Sequence, residues 1–223
     1  MSKKMITFLG TGNYGTGIYS FDDFNKEKTS FVQTGLARYL EPEEVVVLIT
    51  KQAEDKNWDK LEEARKKAGI AIPFYKCPIP SGQTEDEIWE IFQILTDEVN
   101  DHDVLFMDIT HSLRSLPIMA LACVQYLRTL KSVNLQGIYY GAWEAGVEKE
   151  GEFWAPVFDL TPFVQLVDWS EAVSSFERSG DSTGLRQLFD LEVRPRQKAS
   201  KGTDQEAELL RQVGKGLGQA GQC

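Results

Sequence analysis

Short, unbroken apolar runs alternate with helix-like stretches along much of this chain. Met5–Leu9, Val45–Ile49 and Val104–Ile109 carry hardly a polar residue, which suits strands covered on both faces. That alternation predicts an α/β fold, a mostly parallel sheet with helices on its faces. Further strands are expected at Ile18–Phe21 and Thr29–Val32, paired as a hairpin, at Ala71–Ile79 despite Pro73 and Pro78, and at Leu135–Tyr140.

Helices fill the gaps. One runs to Leu40. Another spans Ala53–Ala68, where Trp58, Leu61 and Arg65 share a face, Glu62→Lys66 and Glu63→Lys67 are favourable pairs, and Gly69 ends the helix. Thr84-Glu-Asp-Glu87 is a capping box ahead of Ile88, Ile91, Phe92, Leu95 and Val99 at helical spacing. Ser115 and Pro117 open a helix to about Lys131, with Pro117 in the first turn, where its missing N–H is not needed. Ile118, Met119, Leu121, Val124, Leu127 and Leu130 leave that helix little polar face. It is therefore either a central helix of one large domain or packs one side against a second copy of the chain.

Beyond Tyr140 the pattern changes. A hairpin is expected over Gly141–Asp159 with Glu148-Lys-Glu-Gly-Glu at its tip, then helices at Thr161–Ser179 and Ser182–Leu191. The expected organisation is a sheet domain over 1–160, a helical extension over 161–192 and a flexible polar tail over 193–223. Within that tail Asp204–Val213 is at most transiently helical, because glycines crowd the end of the chain.

Charge limits the partners. The 223 residues hold 24 Lys and Arg against 34 Asp and Glu, a formal charge of −10. Such a surface argues against coating long DNA or RNA, which Lys and Arg drive, but leaves room for one small anionic ligand. Three Cys and two His, with no CxxC, exclude a disulfide framework and a zinc site; no metal or cofactor is expected. The apolar segment behind Lys3-Lys4 stops at Gly10, and no run is long enough to span a bilayer, so a soluble cytoplasmic protein is expected.

Two loops carry chemistry. Gly10-Thr-Gly-Asn-Tyr-Gly15 is a GxGxxG after a strand, which elsewhere cradles a dinucleotide pyrophosphate on a helix N-terminus. Here Thr16–Phe21 reads as extended, and Thr50-Lys51 stands where an acidic ribose ligand belongs. A nicotinamide or flavin site, a purely structural turn and a close backbone approach to another ligand all remain open, the last with Asn13 and Tyr14 as amide and ring contacts. The second loop is Asp108-Ile-Thr-His-Ser-Leu-Arg-Ser-Leu-Pro117, between a buried strand and a helix. Thr110, His111, Ser112, Ser115 and Arg114 suit phosphate or ribose oxygens. The alternative is that His111 and Arg114 only cap backbone and pair with Asp108. Residues 81–110 hold nine acidic side chains and no Lys or Arg, whereas 111–136 hold three basic ones and no acid. A Ser-His-Asp hydrolase does not fit side chains so close in sequence. Pro80-Ser-Gly-Gln83 and Tyr139-Tyr-Gly-Ala-Trp143 are either further rim or plain turns.

Together, Phe8-Leu-Gly-Thr-Gly-Asn-Tyr14 and Asp108–Pro117 resemble the CRISPR-associated DxTHG-motif proteins, over roughly residues 5–190. The resemblance implies a CARF domain, a Rossmann-like sensor of type III CRISPR antiviral systems. It implies a homodimer binding a cyclic oligoadenylate, cyclic tetra-adenylate first, across its two-fold axis. The ligand-binding set would be Gly10, Thr11, Gly12, Asn13, Tyr14, Ser81, Gly82, Gln83, Asp108, Thr110, His111, Ser112, Leu113, Arg114, Pro117, Tyr140 and Gly141. Some members also cleave the ring without metal; His111, Thr110, Ser112 and Asn13 would then be the catalytic set. Two departures stand out: Ser112 replaces the motif glycine, and no His follows His111, so the HEPN ribonuclease motif of many relatives is missing. The chain is thus expected to be a sensor domain lacking its C-terminal effector, or a stand-alone binder or ring nuclease.

Overall fold

The computed structural model describes the backbone of residues 2–21, 25–112 and 116–200, and the side chains of these except 25–27, 116, 117 and 192–200. Among them are nine strands: β1 (Lys3–Leu9), β2 (Gly17–Phe21), β3 (Asn25–Thr29), β4 (Glu44–Ile49), β5 (Phe74–Pro78), β6 (Val104–Asp108), β7 (Asn134–Gly141), β8 (Val147–Lys149) and β9 (Glu152–Asp159). They form one sheet in the order β3-β2-β9-β7-β6-β1-β4-β5, with β8 paired to β9. The run β7-β6-β1-β4-β5 is parallel throughout. The expected α/β fold with a mostly parallel, Rossmann-like sheet is the observed one.

Alternation explains the unbroken apolar runs. Met5, Leu9, Val45, Val47, Ile49 and Phe106 belong to one buried cluster with Leu36 of α1 (Val32–Leu40) and Leu61 of α3 (Asp59–Lys67). Their neighbours Ile6, Phe8, Val46, Leu48, Leu105 and Met107 are also buried, and a strand turns alternate residues to opposite faces. On the helical side, α4 (Glu85–Asp97) and α5 (Leu116–Leu130) pack on each other, α5 meets β7, and Ile91, Leu95, Cys123, Val124 and Leu127 are buried. Each fully buried Leu, Ile, Phe or Met contributes about 1.5–3 kcal/mol, so both layers are needed to hold the sheet.

Several expectations change in detail. Ile18–Phe21 does form a hairpin, but its partner is Asn25–Thr29, and Val32 already opens α1. β3 is an edge strand, which needs no apolar alternation and escapes a hydrophobicity criterion. The helical stretch before Gly69 starts at Lys51 and holds a π-helical turn, Glu54–Trp58, between the short α2 (Lys51–Ala53) and α3. There the Glu62 carboxylate meets Arg65 at 2.9 Å, in place of the expected Lys66. The chain after Gly10–Gly15 enters β2 and not a helix, so the loop has no helix N-terminus to offer a pyrophosphate. That departs from the strand–loop–helix context of a dinucleotide fingerprint.

Residues 1–161 and 162–223 are separate compact units. In the second, α6 (Thr161–Ser179) and α7 (Thr183–Ser200) meet through Trp169 and Phe189, with ring centroids 5.0 Å apart and edge to face. α7 runs to Ser200, past the Leu191 end expected from polarity; Asp204–Val213 lies outside the described residues. No helix of the described residues is long and apolar enough to cross a membrane.

Candidate functional site

Five parallel strands end on one edge of the sheet, and the loops after them gather beyond it. In open α/β sheets that crevice is where ligands bind. At its centre Asp108, the last residue of β6, is fully buried. The Thr7 hydroxyl donates to Oδ2 at 2.6 Å, and the Thr110 N–H and hydroxyl donate to Oδ1 at 3.0 and 2.5 Å. The Thr110 oxygen in turn accepts the Gly141 N–H at 2.7 Å. One carboxylate thus ties the ends of β1, β6 and β7. Burial pushes the Asp108 carboxyl up, against the pull of the Thr110 and Thr7 donors. Its oxygens are turned inward, and His111 does not pair with it.

His111 follows on a tight turn, in which the Ser112 N–H and hydroxyl both donate to the Ile109 carbonyl, at 3.3 and 2.8 Å. The imidazole lies tilted on the Tyr14 ring with centroids 4.2 Å apart. Its Nε2 is closed off from solvent and has no hydrogen-bond partner among the described residues. Burial pushes the imidazole down to about 4, so it is neutral at pH 7. Buried polar atoms are seldom left unpaired, and a neutral imidazole facing a loop edge is a poised donor or acceptor.

The first loop is strapped from outside. The Gly10 N–H donates to the Tyr14 hydroxyl at 2.9 Å. Asn57, buried in the π-helical turn, donates from Nδ2 to the carbonyls of Gly10 and Gly12 at 2.9 and 3.0 Å. The Lys56 ammonium takes the Thr11 carbonyl at 2.6 Å. Three consecutive carbonyls are thereby held by one helical turn. Gly10 allows the two loops to approach, since a Cβ there would lie 3.1 Å from the Tyr14 oxygen and 3.3 Å from the His111 carbonyl. Tyr14 is packed edge-on against Phe31 at 5.4 Å, and burial pushes its phenol up to about 12.

The residues singled out from sequence divide between two clefts. Gly10, Thr11, Ser81, Gln83 and His111 line a cleft of about 410 Å³ over the ends of β1, β4 and β5. Asn13 and Tyr14 line a second, of about 530 Å³, on the flank of the first loop. Gly12, Gly82, Ser112, Tyr140 and Gly141 line neither of the two; the Tyr140 hydroxyl is held by Glu144 at 2.5 Å. Leu113 and Arg114 lie outside the described residues, and Pro117 sits in the first turn of α5 with its side chain outside them.

Glu87 does more than its capping-box role. Thr84 accepts the Glu87 N–H at 3.2 Å, while the Glu87 carboxylate receives the Ser81 hydroxyl at 2.9 Å and the Gln83 N–H at 2.7 Å. Those donors hold its carboxyl below the ordinary range. Lys51, also in the lining, is matched by Asp55 at 2.8 Å and Glu54 at 3.5 Å. Among the described residues this cleft therefore offers an anion dipoles and hydroxyls, with no uncompensated cation.

Sequence reasoning missed Thr50 and Gln52, which line the same cleft, and Asn57. Thr50 was findable as the first polar residue after an apolar strand. Asn57 sits in a polar helical run with no local sign of its role. Among the described residues no His, Cys, Asp and Glu group is arranged to hold a metal ion.

The model of the family described as CRISPR system endoribonuclease Csx1, CARF domain, matches residues 4–144. CRISPR-associated protein MJ1674 of Methanocaldococcus jannaschii is 29% identical over 252 aligned residues, covering 86% of this chain and 39% of that protein. The chain thus spans about two fifths of the length of that curated relative. The matched span takes in both loops, the Asp108 knot and the parallel strands that carry them, and by it this chain belongs to the CARF-domain family of CRISPR-associated Csx1 proteins.

Proposed function

We propose that the chain senses a cyclic oligoadenylate, cyclic tetra-adenylate first, held at the carboxyl edge of the sheet by two copies of the chain in a type III CRISPR response. The observation that carries this is the neutral His111 lining the 410 Å³ cleft, its Nε2 unpaired among the described residues. Ligand clefts run roughly 300–1,000 Å³, so this one holds a nucleotide unit and not a whole ring of four. A symmetric partner supplies the other half. Its contact surface is the outer side of α5, where Ile118 is 80% and Leu130 64% exposed alongside Leu121 and Tyr126. Apolar side chains grouped that way favour a self-complementary interface. Ser81, Gln83, Thr11 and His111 then meet ribose and base, and Arg114 and the backbone meet phosphate.

Calorimetry with cyclic tetra- and hexa-adenylate tests the reading: micromolar or tighter binding of one ring is expected, and no heat with either overturns it. Light scattering is expected to give a dimer that Ile118→Glu converts to a monomer with weaker ring binding.

A second reading is ring cleavage without metal. Thr110 and Ser112 spend their hydroxyls on Asp108, Gly141 and Ile109, so among the described residues of that loop His111 is the group with an unused atom. His111 takes the proton of a ribose 2′-hydroxyl as its oxygen bonds to the adjacent phosphorus. The 5′ oxygen leaves with a proton from solvent, and a 2′,3′-cyclic phosphate remains. Labelled ring incubated with excess protein in EDTA tests it: linear product that His111→Ala abolishes is expected, and intact ring leaves a sensor only.

A further inference from the structure

The flank cleft of about 530 Å³ is the larger of the two and lies on the far side of the first loop from the messenger cleft. Three lysines line it against one acid, Glu63, on a chain of net charge −10. Lys28 is engaged by Glu152 at 2.7 Å, whereas Lys60 and Lys67 have no partner among the described residues. They lie seven positions apart, two turns along one face of α3. The opposite wall adds polar groups: the Thr16 and Ser30 hydroxyls, 2.7 Å apart, and the carboxamide of Asn13, unpaired among the described residues. Phe31 and Tyr14 add apolar ring surface. Ammonium groups, hydroxyls and ring faces in a volume of that size match a phosphorylated ligand about as large as a mononucleotide.

The lining also includes Tyr14 and Asn57, two of the three side chains that strap the messenger loop. Both Nδ2 hydrogens of Asn57 are spent on Gly10 and Gly12, which leaves its Oδ1 to accept from a ligand donor. Tyr14 touches the flank cleft on one side and His111 on the other. We propose that the flank cleft is a second anion site, for a phosphorylated ligand of mononucleotide size, and that its occupant tightens messenger binding by fixing Asn57 and Tyr14. The coupling half of this rests on the messenger reading above; the site itself does not.

The test uses adenosine monophosphate and inorganic pyrophosphate as probes on the full chain. Both are expected to bind at submillimolar concentration, and Lys60→Glu/Lys67→Glu to weaken both at least tenfold with an unchanged melting temperature. Lys66→Glu, an equal change of charge per site on α3 but outside the lining, is expected to leave probe binding intact. The Asn57 side-chain amide resonances, identified by their loss in Asn57→Ala, are expected to shift with the monophosphate. Saturating monophosphate is expected to tighten cyclic tetra-adenylate about fivefold, the low end of coupling between sites. No binding of either probe, binding unchanged in the lysine double variant, or binding lost in Lys66→Glu overturns the site. A static Asn57 amide, or ring affinity unchanged or weakened, overturns the coupling. Failure of the ring alone to bind, with the probes retained, sinks the messenger reading and leaves this site standing.

Discussion

The two loops that meet at Gly10 and His111 are held in opposite ways. The second loop is pinned from within, by a fully buried carboxylate that three donors from β1 and its own chain satisfy. The first is strapped from without, by an amide and an ammonium borrowed from a π-helical turn some 45 residues away in sequence. Internal pinning couples a loop to the stability of the whole sheet. External straps couple it to whatever touches the helix that carries them. The second loop is thus built to present His111 in one position, and the first to respond.

That contrast can be broken at several points. The largest effect is expected from Asp108→Ala, which strands the Thr7 and Thr110 donors inside the sheet. Hydrogen bonds to a charged group are each worth about 1.5–3 kcal/mol, so a loss of about 3 kcal/mol or more in urea unfolding is expected, with ring binding abolished. Asn57→Ala removes two bonds at the surface side and is expected to cost about 1–2 kcal/mol. Its ring affinity falls about tenfold, a larger share of function than of stability. Equal losses for the two variants would erase the distinction drawn between the loops.

A smaller effect follows from pH. The folded His111 sits at about 4 against an ordinary 6.5, so its contribution is fully present above pH 6.5 and fades as pH falls toward 4. Part of the side chain stays open to solvent, which trims the effect to about 1 kcal/mol between pH 7 and 5. Asp108 runs the other way, since burial raises its carboxyl and acid does not weaken it. Melting curves of the native chain and His111→Gln across that window isolate the histidine: the variant is expected to lose the acid-side decline. The most local effect is that of Ser112→Gly, expected to cost about 0.5–1.5 kcal/mol, the worth of its bond to Ile109, and to leave His111 in place.

Much of the fold was legible because burial on both faces writes itself into composition. Val45–Ile49 and Val104–Asp108 are strands for that reason, and Thr84 caps α4 as its spacing requires. β3 was misplaced because an edge strand has only half the constraint. The outer side of α5 was ambiguous for the opposite reason: its apolar residues look the same whether a sheet or a second copy covers them, and here Met119, Cys123, Val124 and Leu127 are inside while Ile118, Leu121 and Leu130 are out. Of the site, Asp108, Thr110 and His111 were named together, but their division of labour was not. Hydrogen-bond partners separate the structural carboxylate, whose oxygens are satisfied, from the imidazole, whose Nε2 has no partner among the described residues, and adjacent letters do not carry that.

The sequence by itself determined the class of fold, the strand ends at which chemistry gathers and the family to which the two loops belong, because strand periodicity and short motifs are local. Tertiary structure decided which groups remain free. Thr110 and Ser112 are spent on backbone and carboxylate, Asn57 is recruited from a distant turn, and Asn13 and Tyr14 fall on the far side of the loop from Ser81 and Gln83. Hydrogen bonds between segments far apart in the chain set those outcomes, and no pattern within a single segment encodes them.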